Sequence, residues 1–196
     1  MNLKRITAPT TEPLSLTEVK AHLRITHSDE DTLITSLIKV ARQQAESITH
    51  RSIASAVYEF TIDDFPSDEI VLPMPPVESV TSIIYKDKDS VETTWASDEW
   101  IFYNSEPAKI IPAYGKDFPS FTPYPIGAVK IRYTAGYKTT STDADLIIPE
   151  EIKQALRLLV ADYYEFREDL LSKGHIPKTV PFGVIALLSP YRVWSM

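Results

Sequence analysis

The 196-residue sequence contains no cysteine and only five glycines. The absence of cysteine excludes disulfides and thiolate metal sites, and it suits a reducing compartment without proving one. Five glycines leave little material for a phosphate-binding loop, and neither the Walker A pattern nor the dinucleotide-binding pattern occurs. Fifteen prolines favour stiff, extended connections between the structural elements.

Long apolar runs and a surplus of basic residues are also absent. No apolar stretch approaches the roughly 20 residues of a membrane span, and the start of the chain lacks the apolar core of a signal peptide, so we expect no membrane partner. The net charge is −7, and residues 56–148 hold the excess acid, with 15 acidic and 7 basic side chains. Tight binding of nucleic acid needs clustered Lys and Arg, so this composition argues against it.

The first 55 residues carry the signals of two helices. Ser15 and Glu18 have the spacing of a capping box at the start of a short helix. A longer helix is predicted from about Asp29 to Thr49, with Ser28 as its N-cap and apolar residues at three- and four-residue steps. From Ala56 the apolar period changes to two, which predicts a series of strands, with a hairpin turn at KDKDS.

A third helix is predicted where the helical period returns, at IIPEEIKQALRLLVADYYEFREDLL. Its apolar stripe and that of the second helix should pack together, with the strands as an excursion between them. The predicted fold is α+β: a helical bundle, an inserted antiparallel β-rich segment and an extended C-terminal tail. The predicted bundle core is Leu33, Ile34, Leu37, Ile38, Ala41, Ile152, Leu156, Leu159 and Tyr163.

This fold divides the chain into four parts. Residues 1–55 are the N-terminal helical part, and residues 56–148 are the inserted β-rich segment. Residues 149–175 are the C-terminal helix that completes the bundle. Residues 176–196 are an apolar docking tail.

The tail TVPFGVIALLSPYRVWSM is apolar, whereas the ends of chains are usually polar. Either it folds back on the protein's own helices as a short helix, or part of it docks in a groove of another chain. Left exposed, such a patch would promote aggregation. The residues assigned to docking are Phe182, Val184, Ile185, Leu187, Leu188, Tyr191, Arg192, Val193 and Trp194.

Residues that could carry chemistry do not assemble into a recognisable site. The four histidines lack zinc-site spacing, and the acidic stretches HSDED, DKDSVE and STDADL fit a helix start, a hairpin tip and a polar loop better than metal sites. Ser36 and Lys39 match a serine-hydrolase pattern but lie inside a helix without the partner motifs. We therefore expect no metal and no cofactor.

Several motifs in a fixed order resemble a known family. The N-terminal helices supply Leu16, Lys20, Leu23, Arg24, Asp29, Asp31, Ala41 and Ala45. The middle supplies Leu72, Pro73, Pro76, Val77, Val80, Ile83, Tyr85 and Asp87, followed by AVKIRYTAGY. The C-terminal stretch supplies Pro181, Gly183, Leu187, Leu188, Pro190, Tyr191 and Arg192. Together they resemble phage head–tail connector (adaptor or head completion) proteins of the gp6-like and phiE125 gp8-like families. The sequence departs from them at Ser90, where the family often has glycine, and residues 95–125 match poorly.

The resemblance implies a structural protein, not an enzyme, of a tailed phage or a phage-derived particle such as a gene transfer agent. Such adaptors form a ring, often dodecameric, beneath the portal protein, extend the DNA channel and receive a tail-side stopper or tail-terminator protein. DNA passes through without tight binding, and the family's C-terminal segment engages the portal. The expected location is the head–tail interface of the virion, after assembly in the host cytoplasm.

Two other classes stay open from the residues alone. One is a soluble module that binds a ligand or peptide on the β-rich segment, although the aromatic residues there fit a core or a sheet face better than a ligand cage. The other is an enzyme whose site is assembled from scattered residues. A ligand module should be a stable monomer with a lined pocket, whereas a ring component should associate.

Overall fold

The computed structural model describes residues 1–166 and 180–194. The protein is a mixed α/β chain with antiparallel sheets, as predicted at that level. Residues 167–179 of the predicted C-terminal helix and tail, and residues 195–196, lie outside the described part.

The chain folds as two compact units. The β unit comprises Met1–Thr10 and Ala54–Tyr137, and the helical unit comprises Thr11–Ile53 and the chain from Lys138 onward. The strands are β1 (Asn2–Thr7), β2 (Ala56–Ile62), β3 (Ile70–Leu72), β4 (Val77–Lys86), β5 (Glu92–Thr94), β6 (Trp100–Tyr103), β7 (Ala108–Pro112) and β8 (Val129–Ala135). Five strands form a large sheet in the order β1-β2-β8-β4-β5, and three form a small sheet in the order β3-β7-β6.

The large sheet follows the predicted alternation of apolar and polar residues. In β2, Tyr58, Phe60 and Ile62 are buried while the residues between them are partly exposed, as expected for a strand with one buried face. Tyr133 of β8 stacks on Tyr58 with ring centroids 5.8 Å apart. The Tyr133 hydroxyl donates to the carbonyl oxygen of Pro73 at 2.8 Å, which satisfies its polar end inside the core.

Gly136 follows β8 and permits a close backbone approach. Its φ is +126°, and a Cβ at this position would lie 2.3 Å from the carbonyl oxygen of Ala54. A side chain cannot fit there, so this position of the AGY motif requires glycine.

The sequence pattern does not predict β1, which pairs with β2 at one edge of the large sheet. All six residues of β1 are exposed, so the strand has no buried face to produce an alternating pattern. Its strand conformation depends on backbone pairing with residues 50 to 59 positions away.

The helices of the helical unit are α1 (Leu16–Leu23), α2 (Asp31–Thr49), α3 (Glu150–Glu165) and α4 (Phe182–Leu188). The capping box of α1 is confirmed: the Glu18 N–H donates to the Ser15 hydroxyl at 3.2 Å, and the Ser15 N–H donates to the Glu18 carboxylate at 2.8 Å. The Ser15 hydroxyl also donates to the Glu18 carboxylate, at 2.7 Å. The pKa of Glu18 is lowered by the bond from the Ser15 N–H first and by the bond from the hydroxyl second.

The predicted cap of α2 is wrong, whereas its predicted end at Thr49 is correct. The helix begins at Asp31 behind Glu30, whose side chain forms no capping bond. The carbonyl of Ser28 accepts from the Asp31 N–H at 3.2 Å, so Ser28 begins a turn that precedes the helix. Helix α3 runs from Glu150 to Glu165, and its last fully buried side chain is Val160. Residues 167–175 of the predicted range lie outside the described residues.

Helix α3 packs against α2, and α1 lies against both. Most of the predicted bundle-core residues occupy this contact. Six of them are fully buried: Ile34, Ile38, Ala41, Ile152, Leu156 and Leu159. Three are half-buried: Leu33, Leu37 and Tyr163.

Candidate docking site in the C-terminal segment

The C-terminal segment, residues 180–194, begins with helix α4 and continues through a 3-10 turn at Ser189–Tyr191. It is helical over Phe182–Leu188 instead of extended as predicted. Val184 and Leu188 lie one helical turn apart, and both are fully buried, with α4 packed against α3 and α2. The structure therefore places these two predicted docking residues in the core of the helical unit.

Three hydrogen bonds fix the segment after α4. The Val193 N–H donates to the carbonyl of Thr49 at 2.8 Å, and the buried Arg51 Nε donates to the carbonyl of Tyr191. The Tyr191 hydroxyl donates to the Glu151 carboxylate at 3.1 Å. Burial, followed by this last bond, raises the pKa of Tyr191. The segment is thus held near the end of α2 by its backbone and at the start of α3 by the Tyr191 side chain.

A second set of apolar side chains on the same segment faces solvent. Phe182 is 84% exposed and Trp194 is 73% exposed, and Ile185 is also exposed. The guanidinium of Arg192 lies 4.5 Å from the centre of the Trp194 ring, a cation–π distance. We call Phe182, Ile185, Arg192 and Trp194 the exposed C-terminal face. Leu187, Tyr191 and Val193 are half-buried between this face and the core.

The sequence reasoning found the segment but missed the residues that hold it. Thr49, Arg51 and Glu151 carry no local signal for this role, because the Arg51–Tyr191 contact spans 140 positions. The sequence did contain a signal for which apolar residues of α4 lie on the same face. In a helix, positions 184 and 188 share one face while 182 and 185 share another.

A buried ionic network holds the same part of the helical unit. Arg42 donates to Glu12 at 2.8 Å and to Glu46 at 2.9 Å, and the Ile53 N–H donates to Glu46 at 3.2 Å. Burial lowers the pKa of Arg42, but the hydrogen bond to Glu12 and the charges of Glu46 and Glu12 outweigh it, so the pKa is raised overall. The network fixes the course of the chain on both sides of α2.

The described residues contain neither a cluster of metal ligands nor a helix suited to a bilayer. Among them, no group of three or more His, Asp and Glu side chains is placed to hold a metal ion. Within the same ranges, every helix is too short or too polar to cross a bilayer.

A sequence model of the head completion protein family matches residues 12–192. The chain belongs to the head completion protein family. This head completion protein is a structural component of the head–tail connector of a tailed phage or phage-like particle, located at the head–tail interface of the virion. The resemblance drawn from the sequence is thereby confirmed. The matched range does not include β1 or Trp194.

Solved structures of particle necks have the same fold over the whole chain. A chain in the neck of an empty gene transfer agent particle with C6 symmetry is 27% identical, with a TM-score of 0.79, covering 100% of this chain and 97% of that one. A chain in the virion of a native gene transfer agent particle is 28% identical, with a TM-score of 0.79 and the same coverage. A chain in the native neck with C12 symmetry is 28% identical, with a TM-score of 0.77 and the same coverage. A search of curated proteins found no match to this chain.

Proposed function

We propose that this protein forms a dodecameric ring beneath a portal protein, extends the DNA channel and receives a stopper or tail-terminator protein on its tail side. The helical unit is the bundle of the predicted fold, and residues 54–137 of the β unit are its insertion. The exposed C-terminal face docks on the portal. The observation that carries this proposal is the division of one short segment into a buried face that holds it and an apolar face left in solvent.

The fixed backbone makes the exposed C-terminal face suitable for docking. A flexible segment loses conformational entropy on binding, whereas this one is already held by Thr49, Arg51 and Glu151. Fully burying a side chain such as Phe182 contributes about 1.5–3 kcal/mol. A ring presents many such faces to one partner, so a weak contact per subunit is multiplied through effective concentration.

Ring formation is supported by the solved necks with C6 and C12 symmetry. In such a ring, one surface of each subunit contacts a different surface of the next subunit. The ring closes when the rotation between neighbouring subunits matches the number of subunits. We assign this contact to the flanks of the helices of the helical unit. A role of this kind requires no catalysis, and we propose that the protein has none.

The charge of the β unit fits a channel that does not retain DNA. The unit carries 13 acidic and 8 basic side chains, a net charge of −5. Counterion release rewards DNA binding only where basic residues neutralise phosphates. DNA should therefore pass without tight binding, and the isolated protein should fail to retard double-stranded DNA even at low salt.

A double variant, Phe182→Ser with Ile185→Ser, tests the docking proposal. Both side chains are exposed, so the variant should keep its circular dichroism spectrum and thermal midpoint. We expect at least a tenfold loss of incorporation into portal-bearing heads, measured by quantitative blotting of purified heads. Deleting residues 181–196 is less informative, because it also removes the buried Val184 and Leu188.

The control is Ile147→Ser, which changes another exposed isoleucine of the helical unit outside the exposed C-terminal face. It should be incorporated like the wild type. Normal incorporation of the double variant would show that the exposed C-terminal face does not bind the portal.

A further inference from the structure

The outward face of the small sheet departs from the usual pattern of an antiparallel sheet. Such a sheet has an apolar face toward the core and a polar face toward water. Here Ile101 of β6 pairs with Ile111 of β7. Lys109 of β7 lies between two partners, Tyr103 of β6 on one side and Val71 of β3 on the other. We call these five residues the small-sheet face.

This face is apolar and open to solvent. Tyr103 is 62% exposed and Ile101 is 46% exposed, and Val71 is exposed as well. Lys109, the one charged member, is paired with Glu69 at 2.7 Å, so the centre of the face is close to neutral. Contiguous exposed apolar residues with a polar border are typical of protein-binding surfaces.

The loops that flank the strands of the small sheet in the chain are strongly acidic. The loops that enter and leave its strands, residues 63–69, 95–99, 104–107 and 113–128, contain eight acidic side chains and one lysine. The rest of the β unit outside the small sheet and these loops contains five acidic and six basic side chains. The negative charge of the unit is therefore concentrated in the loops connected to the strands of the small sheet.

The charge identifies the kind of occupant. DNA is excluded because phosphates would face carboxylates. A symmetric contact with a second copy is disfavoured because it would place one acidic border against another. A protein with an apolar centre and a border of Lys and Arg is complementary on both counts.

We propose that the small-sheet face binds a second protein of the neck, the tail-side protein, through an apolar centre and a basic border. This proposal rests on the proposed function, in which the portal contact is made by the exposed C-terminal face. The face is then the surface that joins the ring to the tail. Because the border is charged, the contact should form faster at low salt than at high salt.

The test uses Ile101→Lys and Ile101→Glu in the full chain, assembled into heads that are then mixed with purified tails. Lysine adds a charge that repels a basic border, whereas glutamate adds one that attracts it. Joined particles are counted by electron microscopy. We expect at least a tenfold loss of joining for Ile101→Lys and a smaller loss for Ile101→Glu, with both variants present in heads at the wild-type level.

Two further variants control for folding and position. Val91→Lys makes the same kind of change at an exposed position in the β4–β5 hairpin, outside the small-sheet face, and should leave joining unchanged. If Ile101→Lys fails to fold, Tyr103→Ser replaces it, and the same tenfold loss is expected.

Each other outcome overturns the proposal. If the Ile101 variants join tails normally, the small-sheet face is not the tail-side surface. If they fold but are missing from heads, the face contacts another copy or the portal. If glutamate is as harmful as lysine, the partner border is not basic. A wild-type protein absent from heads would instead refute the proposed function.

Discussion

The two units of this protein place their polar groups differently. Among the described residues, every buried side chain that carries a charge or an aliphatic hydroxyl group belongs to the helical unit. These residues are Arg42, Glu46, Thr49, Arg51 and Ser52. The β unit has an aromatic core instead, in which Phe65 lies within 5.3–5.9 Å of the rings of Tyr85, Trp95, Phe118 and Phe121. The β unit is held by apolar packing, and the helical unit depends also on polar contacts between distant segments.

This difference matters because buried charges and apolar contacts respond differently to mutation. Removing one member of a buried ion pair leaves the other charge in the interior without that partner. In a core of many rings, the packing energy is spread over many weak contacts, so one substitution removes only part of it. We therefore expect the largest single-residue effects at the polar contacts of the helical unit.

The largest effect is expected for Arg42→Ala. It removes the guanidinium that pairs with the buried Glu46 at 2.9 Å, and loss of one member of a buried ion pair costs about 3–5 kcal/mol. Thermal denaturation measures the loss, and amide hydrogen exchange should show faster opening in the helical unit first. The control Arg132→Ala breaks a surface pair with Glu59 in the β unit and should cost at most about 1 kcal/mol. Equal losses for the two variants would remove the contrast between the units.

A smaller effect is expected for Tyr133→Phe in the β unit. It removes the hydrogen bond to the Pro73 carbonyl, which contributes about 1 kcal/mol. Burial raises the pKa of Tyr133, with a further contribution from Tyr58, so the folded protein keeps this proton when the unfolded chain releases it. The wild type should therefore lose stability relative to the variant as the pH rises above about 10.

Chemical denaturation of wild type and Tyr133→Phe between pH 8 and pH 11 measures this dependence. The difference in unfolding free energy should shrink at the upper end of that range. A difference that is constant with pH would mean that Tyr133 titrates alike in both states.

The smallest effect is expected for Ser90→Gly in the hairpin between β4 and β5. Ser90 has a φ of +68°, a conformation that is unfavourable for residues with a Cβ. Glycine relieves this cost but adds entropy to the unfolded chain, so we expect a gain of roughly a few tenths of a kcal/mol. Ser90→Ala, which keeps the Cβ, should show no gain in the same denaturation experiment.

Two local signals in the sequence predicted local structure correctly. The capping box needs only Ser15 and Glu18, three positions apart, and it forms as predicted. The β4–β5 hairpin is similar, because the Asp87 carboxylate accepts from the N–H groups of Asp89 and Val91 at 2.9 Å. Such hydrogen bonds join residues that are close in the chain, so a short stretch of sequence is enough to predict them.

Features that depend on distant residues could not be predicted in the same way. Strand β1 pairs with β2 but has no buried face, and the C-terminal segment is fixed by Thr49 and Arg51. The family resemblance predicted the role of that segment without showing which of its apolar residues remain exposed. The helical period separates Val184 from Ile185, but the packing of α4 against α3 determines which of the two is buried.

The contacts of α4 also have a consequence for biosynthesis. The side chains that complete the core around α2 and α3, Val184 and Leu188, are translated after every residue of the β unit. On the ribosome, the β unit can fold as soon as Tyr137 has emerged, while the partly built helical unit still exposes apolar surface. Nascent chains of this protein should therefore depend on chaperones during the interval between these two events.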